Sequence, residues 1–153
     1  MSSISSNGWA IYFHRIFFNQ LADKIACVKK LKSRMSNEEF ITHPEVKMLQ
    51  TLRKCIKQEI PNDPFASRFH LNGILAKYSR VKHLGIPSRY RLFFRASAQS
   101  GHKAIFILWL GFPRKKDSKD DCYEVFKKMV SRGNFPENVA LLIAASETSP
   151  GDF

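Results

Sequence analysis

Between Ala104 and Gly111 the chain reads AIFILWLG, with no polar side chain in the run. Successive side chains of a strand point to opposite faces of a sheet, so a strand without a polar face has to be covered on both sides. The run is too short to cross a bilayer, and so is the apolar stretch from Val139 to Ala145. The chain must therefore build a sheet with a layer above and a layer below. A hydrophobic content of 44 %, with 13 Phe, supplies the material. At 153 residues a chain can bury roughly 68–70 % of its unfolded surface in one domain. The expected organisation is a loose lead-in over residues 1–8 and a single domain over residues 9–148.

Periodicity places the other elements. Trp9 to His14 is aromatic and β-branched and reads as a strand. Phe17, Leu21, Ile25 and Val28 recur at helical spacing, which predicts a helix from Arg15 to Ser33. Thr42 and Glu45 match a T-x-x-E capping box, so a second helix is expected from Thr42, ending at Pro61. Three strands follow: Leu75 to His83, Arg89 to Ala96, and Lys103 to Gly111. In the second of these, Tyr90, Leu92 and Phe94 point one way while Arg89, Arg91, Phe93 and Arg95 point the other. Ser118 is the expected cap of a helix carrying Cys122, Val125, Phe126, Met129 and Val130, with Gly133 closing it. Asn138 to Ser146 reads as a last short helix. The order β-α-α-β-β-β-α describes an α+β domain with a mostly antiparallel sheet.

Charge narrows the partners. The chain carries 25 Lys and Arg against 13 Asp and Glu, a net +12. Residues 64–116 contain no acid at all, yet hold 11 Lys and Arg and three His. Cations with no internal partner point to a polyphosphate. The three cysteines, Cys27, Cys55 and Cys122, are odd in number and widely spaced, and read as reduced core residues rather than a zinc site. The N-terminus MSSISSNG lacks the basic start and apolar core of a secretory signal, so the expected location is cytoplasmic, without a membrane. No P-loop, G-x-G-x-x-G, H-E-x-x-H or G-x-S-x-G pattern occurs. Asp117, Asp120, Asp121 and Glu124 are explained by helix capping, and no cofactor or metal is expected.

Basic groups on strands carry the remaining chemistry. Arg80 and Lys82 are two residues apart and share a sheet face, with Tyr78 in line. Arg89, Arg91 and Arg95 share a face of the next strand. Arg114, Lys115 and Lys116 leave the central strand, and Tyr123 begins the helix beyond. Guanidinium forks grip phosphate oxygens in pairs. RNA supplies its own nucleophile in the 2′-hydroxyl, so a site that aligns it and stabilises the added charge needs no metal. A crowded cationic site can also lower a lysine pKa and make it a proton acceptor. His83 is a further proton-transfer candidate.

RVKH, RYRLFFR, and KDDCYEVFKKM followed by GNFP together resemble the YhaV-type toxins of toxin–antitoxin systems, within the RelE-like group of messenger-RNA interferases. WAIYFH and IPNDP fit the same family, and the likeness spans residues 9–145. It implies a small RelE-like fold with two N-terminal helices and a C-terminal helix. The implied activity is an endoribonuclease that cuts translated mRNA on the ribosome and halts translation and growth until a cognate antitoxin covers it. Cleavage by 2′-hydroxyl attack would leave a 2′,3′-cyclic phosphate and a 5′-hydroxyl. The family pattern places its catalytic groups on Arg80, Lys82, Arg91, Arg114 and Tyr123, with Lys119 at the family's lysine ahead of that tyrosine. His83, Arg89, Arg95, Lys115, Lys116 and Lys119 are the expected surrounding RNA contacts. The loop after Trp109 departs from the family, lacking its Asn-Asp pair and running about three residues shorter, so Lys115 or Lys116 can stand in for Arg114. Two other readings stay open at this point: a non-catalytic basic module that binds RNA or the ribosome, and a domain whose basic face docks an acidic protein.

Overall fold

The computed structural model describes residues 4–112, 121–150 and 153. Six strands among them make one mixed sheet: β1 (Ile4–Ser6), β2 (Trp9–His14), β3 (Ser79–Val81), β4 (Arg91–Ser97), β5 (Ala104–Gly111) and β6 (Ser146–Glu147). Their order is β1-β2-β5-β4-β3, with β6 on β2. β2 and β5 run parallel, and the other pairs are antiparallel. The fold is α+β, as expected, and the AIFILWLG run is its central strand.

Helices cover both faces of β5. On one side lie α1 (Arg15–Arg34), α2 (Asn37–Thr42), α3 (Pro44–Lys54), a π-helical stretch (Cys55–Glu59) and a final turn, α4 (Ile60–Asn62). Here Ile105, Ile107 and Leu110 meet Phe17, Leu21 and Leu52 in one core cluster. On the other side are α5 (Cys122–Ser131) and α6 (Val139–Ala144). There Phe93, Phe106 and Leu108 meet Phe126 and Leu142 in a second cluster. A bulge divides β5: Phe94 pairs with Ile107 but Phe93 pairs with Trp109. The extra residue, Leu108, lets both Leu108 and Trp109 join the α5 side. Beyond the reach of β2, the Gln20 side chain donates to the Leu110 carbonyl at 2.9 Å and accepts from its amide at 2.8 Å. It thus satisfies backbone groups that a sixth pairing would otherwise have to fill.

Several boundaries differ from the sequence reading, each for a physical reason. Ile4–Ser6, expected to be a loose lead-in, pairs with β2. Its Ser6 hydroxyl donates to the Lys57 carbonyl at 2.7 Å. That carbonyl is the one Pro61, lacking an N–H, leaves unpaired four residues on. Helix therefore persists through a π turn past Pro61 instead of stopping before it. Thr42 is not a cap: it ends α2, and its hydroxyl turns back to the Glu39 carbonyl at 3.1 Å. Ser36 caps α2, and the His43 ring accepts from the Glu45 amide to start α3. The strand expected from Leu75 is confined to Ser79–Val81, since residues 73–75 form a 3₁₀ turn. Asp121, rather than Ser118, caps α5 through the Glu124 amide at 2.9 Å; Ser118 lies outside the described residues. Gly133, at φ +75°, closes the helix as expected, with Gly133 and Asn134 amides on the Val130 and Met129 carbonyls.

Two predictions follow from this packing. A Cβ on Gly111 would stand 2.7 Å from Cys122 Cβ and 2.8 Å from Trp109. Gly111→Ala should therefore cost about 1–3 kcal/mol by forcing α5 from the sheet, read as a lower urea midpoint at constant slope. His14 is buried, and its Nδ1 accepts from the Ile16 amide at the start of α1. Burial pushes its pKa down, helped by Arg15 and opposed by a backbone bond to Asn134. The unfolded chain then takes up a proton that the folded one resists, so stability falls as pH drops below about 6.5. In His14→Gln that acid-side decline should shrink in pH-dependent denaturation.

Candidate functional site

Two strands and one helix bring three expected residues together. Arg80 of β3 stands opposite Phe93 of β4, and Arg91 lies two residues before Phe93. Both guanidiniums therefore emerge on the face that α5 covers. Tyr123 is the second residue of α5, with its ring edge-on to Phe93 at 5.7 Å. Its hydroxyl oxygen accepts Nε–H from Arg80 at 3.1 Å and from Arg91 at 2.9 Å. Arg91 also lies 5.8 Å from the Tyr123 ring centre. With both lone pairs engaged, the phenol keeps its own proton to give to something else.

The backbone holds the two arginines in place. Arg91 Nη1 donates to the carbonyls of Ser88 and Tyr90, both at 2.8 Å. Arg80 Nη1 donates to the Arg68 carbonyl at 2.9 Å. Among the described residues, neither guanidinium has a carboxylate within ion-pair distance. Two half-buried like charges tied to one oxygen repel each other unless an anion joins them. The arrangement presents two guanidiniums with their donors preset in direction, the chemistry that suits a phosphate-like group.

A protein-family model described as "Toxin with endonuclease activity, of toxin-antitoxin system" matches residues 11–147. The chain belongs to the YhaV toxin family. Toxin YhaV of Escherichia coli O6:H1 is 32 % identical over 151 residues, covering 94 % of this chain and 95 % of that protein. The protein called Ribonuclease toxin YhaV of Escherichia coli K12 is 32 % identical over 149 residues, covering 92 % and 94 %. No solved structure matches the chain significantly. As a YhaV-family member the protein is a toxin with endonuclease activity, and it has a cognate antitoxin.

The other expected site residues are placed less uniformly. Lys82 follows β3 and is exposed; continuing the β3–β4 register by one step sets it opposite Arg91. His83 is exposed beside it. Arg89 is exposed in the turn ahead of β4. Arg95 is on the Arg91 face but is only 9 % exposed, and its Nη1 donates to the Glu137 carbonyl at 2.8 Å. It thereby ties β4 to the segment before α6, away from the Tyr123 cluster. Arg114, Lys115, Lys116 and Lys119 lie outside the described residues. Cys122 sits beside the cluster, but burial raises its thiol pKa more than Arg91 lowers it, which opposes use as a nucleophile. Among the described residues no helix is long and apolar enough to cross a membrane.

Arg68 is the residue that sequence reasoning passed over. It belongs to the acid-free stretch, but no strand periodicity marks it, because it sits in a 3₁₀ turn at Ser67–Phe69. Its carbonyl is the anchor of Arg80. Only the fold shows that the two segments meet.

Tyr123→Phe tests the cluster directly. Both Nε–H groups lose their shared acceptor, so their protons should exchange with water distinctly faster by ¹⁵N NMR. Stability should change by less than about 1 kcal/mol, since the groups are half-exposed and can be rehydrated.

Proposed function

We propose that this endonuclease toxin cuts messenger RNA, on the ribosome, by attack of the substrate's own 2′-hydroxyl on the adjoining phosphorus. The observation that carries this is the convergence of Arg80 and Arg91 on Tyr123 Oη, with neither guanidinium ion-paired to a carboxylate among the described residues. The relative named as a ribonuclease toxin supports RNA as the substrate class.

In this reading the scissile phosphate sits against Arg91, with Arg80 supporting it. Charge accumulates on the non-bridging oxygens as the 2′-oxygen bonds to phosphorus, and preset guanidinium donors stabilise that charge more than the ground state. Tyr123 gives its free O–H to one of these oxygens and positions the linkage. Lys82, beside Arg91 in register, takes the 2′-proton or, as an ammonium, steadies the alkoxide. The bond from phosphorus to the 5′-oxygen breaks and that oxygen takes a proton from solvent, leaving a 2′,3′-cyclic phosphate and a 5′-hydroxyl. Because the nucleophile comes with the substrate and the counter-charge from side chains, the step proceeds without a metal ion. The family pattern adds a further phosphate ligand from the loop after β5, at Arg114 or, in its stead, Lys115 or Lys116. Halted translation and arrested growth follow from loss of mRNA, and the toxin acts in the cytoplasm.

Primer extension after brief expression, with and without ribosomes in vitro, tests the reading. Arg91→Ala should slow cleavage by about 10²-fold or more, the usual scale for removing one transition-state donor, while RNA affinity falls only about tenfold. Chelation by EDTA should leave the wild-type rate unchanged, and a single 2′-deoxy substitution at the cut site should abolish cleavage there. Intact RNA ends in every reaction would overturn the proposal, as would an Arg91→Ala protein whose cleavage falls only in step with binding.

A further inference from the structure

Next to the arginine pair lies a cleft of about 260 Å³, lined by Arg68, Phe69, Lys82, His83 and Leu84. Two of the five carry a positive charge, a third is an exposed imidazole, and the remaining two are apolar. The cleft borders the arginine pair at the edge strand: the Arg68 carbonyl holds Arg80 Nη1, and Lys82 follows Arg80 by two residues.

Its walls are held in shape. The Arg68 guanidinium lies 4.7 Å over the Phe69 ring and 3.6 Å from Glu59. A half-exposed pair at that separation orients the side chain but neutralises it only weakly. Across the cleft, Leu84 has φ +64° and Gly85 φ +90°. A left-handed conformation is unfavourable for leucine, whose Cβ crowds the following carbonyl. It persists because the Leu84 side chain packs against the core. This turn directs Lys82 and His83 to the same opening as Arg68.

We infer that this cleft is a second phosphate subsite, in which Arg68 grips the phosphate one nucleotide away from the scissile linkage. The inference rests on the reading of the Arg80–Arg91–Tyr123 cluster as the scissile-phosphate site. Arg68 meets the charge, His83 contributes a ring nitrogen, and Leu84 gives the sugar an apolar contact. A single-stranded backbone carries one charge per nucleotide, so a subsite flanking the reacting phosphate gains an ionic contact from every longer substrate. Arg68 then sets substrate length and register without touching the reacting atoms.

The test uses 2′-O-methyl dinucleotides, which cannot be cut, with no terminal phosphate, a 5′-phosphate or a 3′-phosphate. Binding is read by calorimetry at fixed salt. For the wild type one of the two terminal phosphates should tighten binding by about tenfold, the value of one good charge-assisted contact. In Arg68→Ala and Arg68→Glu that gain should drop below about twofold and disappear, respectively. In Arg91→Ala the affinities should all fall while the ratio between phosphorylated and unphosphorylated probes stays near the wild-type value. A wild type that gains nothing from either phosphate overturns the subsite, and so does a gain that survives in both Arg68 variants. If instead Arg91→Ala binds the unphosphorylated probe as the wild type does, the scissile-site reading fails, whatever Arg68 does.

Discussion

Phe93 lies between the two halves of the site. Its ring stacks on Phe126 of α5 at 4.2 Å between centres and on Trp109 of β5 at 5.6 Å. Aromatic stacking of this kind adds a directional preference to the burial of large apolar surfaces. The pile fixes how closely α5 approaches the sheet, and Gly111 permits that approach by having no Cβ. Tyr123 rides on the same helix, one turn before Phe126, and meets the edge of Phe93. The meeting of a phenol with two guanidiniums is therefore a consequence of core packing beneath it, not of attraction among the polar groups.

The polar groups alone would oppose it. Arg80 and Arg91 repel each other, and the described residues offer them no carboxylate. The hydrophobic clusters on both faces of β5 hold them together in spite of this. The result is a cluster with unfavourable electrostatics when empty, which in the function proposed become favourable once a phosphodiester is bound. That difference is the physical basis of an enzyme complementary to a charge-rich transition state. In the function proposed, this preorganised charge serves the endonuclease activity of the family to which the chain belongs. An antitoxin that covers the site with acidic side chains would relieve the same repulsion.

Much of the scaffold was legible in local pattern. The α1 stripe of Phe17, Leu21 and Ile25 is buried where its spacing put it. The alternation in β4 sends Leu92 and Phe94 to one cluster and Phe93 to the other. Boundaries failed where a distant group intervened. Ser6 takes the carbonyl that Pro61 frees, and helix continues where proline ordinarily stops it. The Thr42–Glu45 box was a true spacing on a false start, because Ser36 and His43 cap better-placed turns. Arg95 satisfied the alternation and yet went to Glu137, since the parity of a strand specifies a face but not a position along it.

The order of apolar and polar residues by itself determined that this chain is an α+β protein around a doubly covered central strand, and that its acid-free run of positive charge lies in residues 64–116. Those properties are periodic or compositional, so they can be read within a short window. Tertiary structure alone decided which cations meet. A bulge at Leu108, the depth of α5 on Phe93 and the turn carrying Arg68 each depend on contacts between segments far apart in the chain. Local periodicity has no term for them, and so Arg68 became visible only when the fold set its backbone against Arg80.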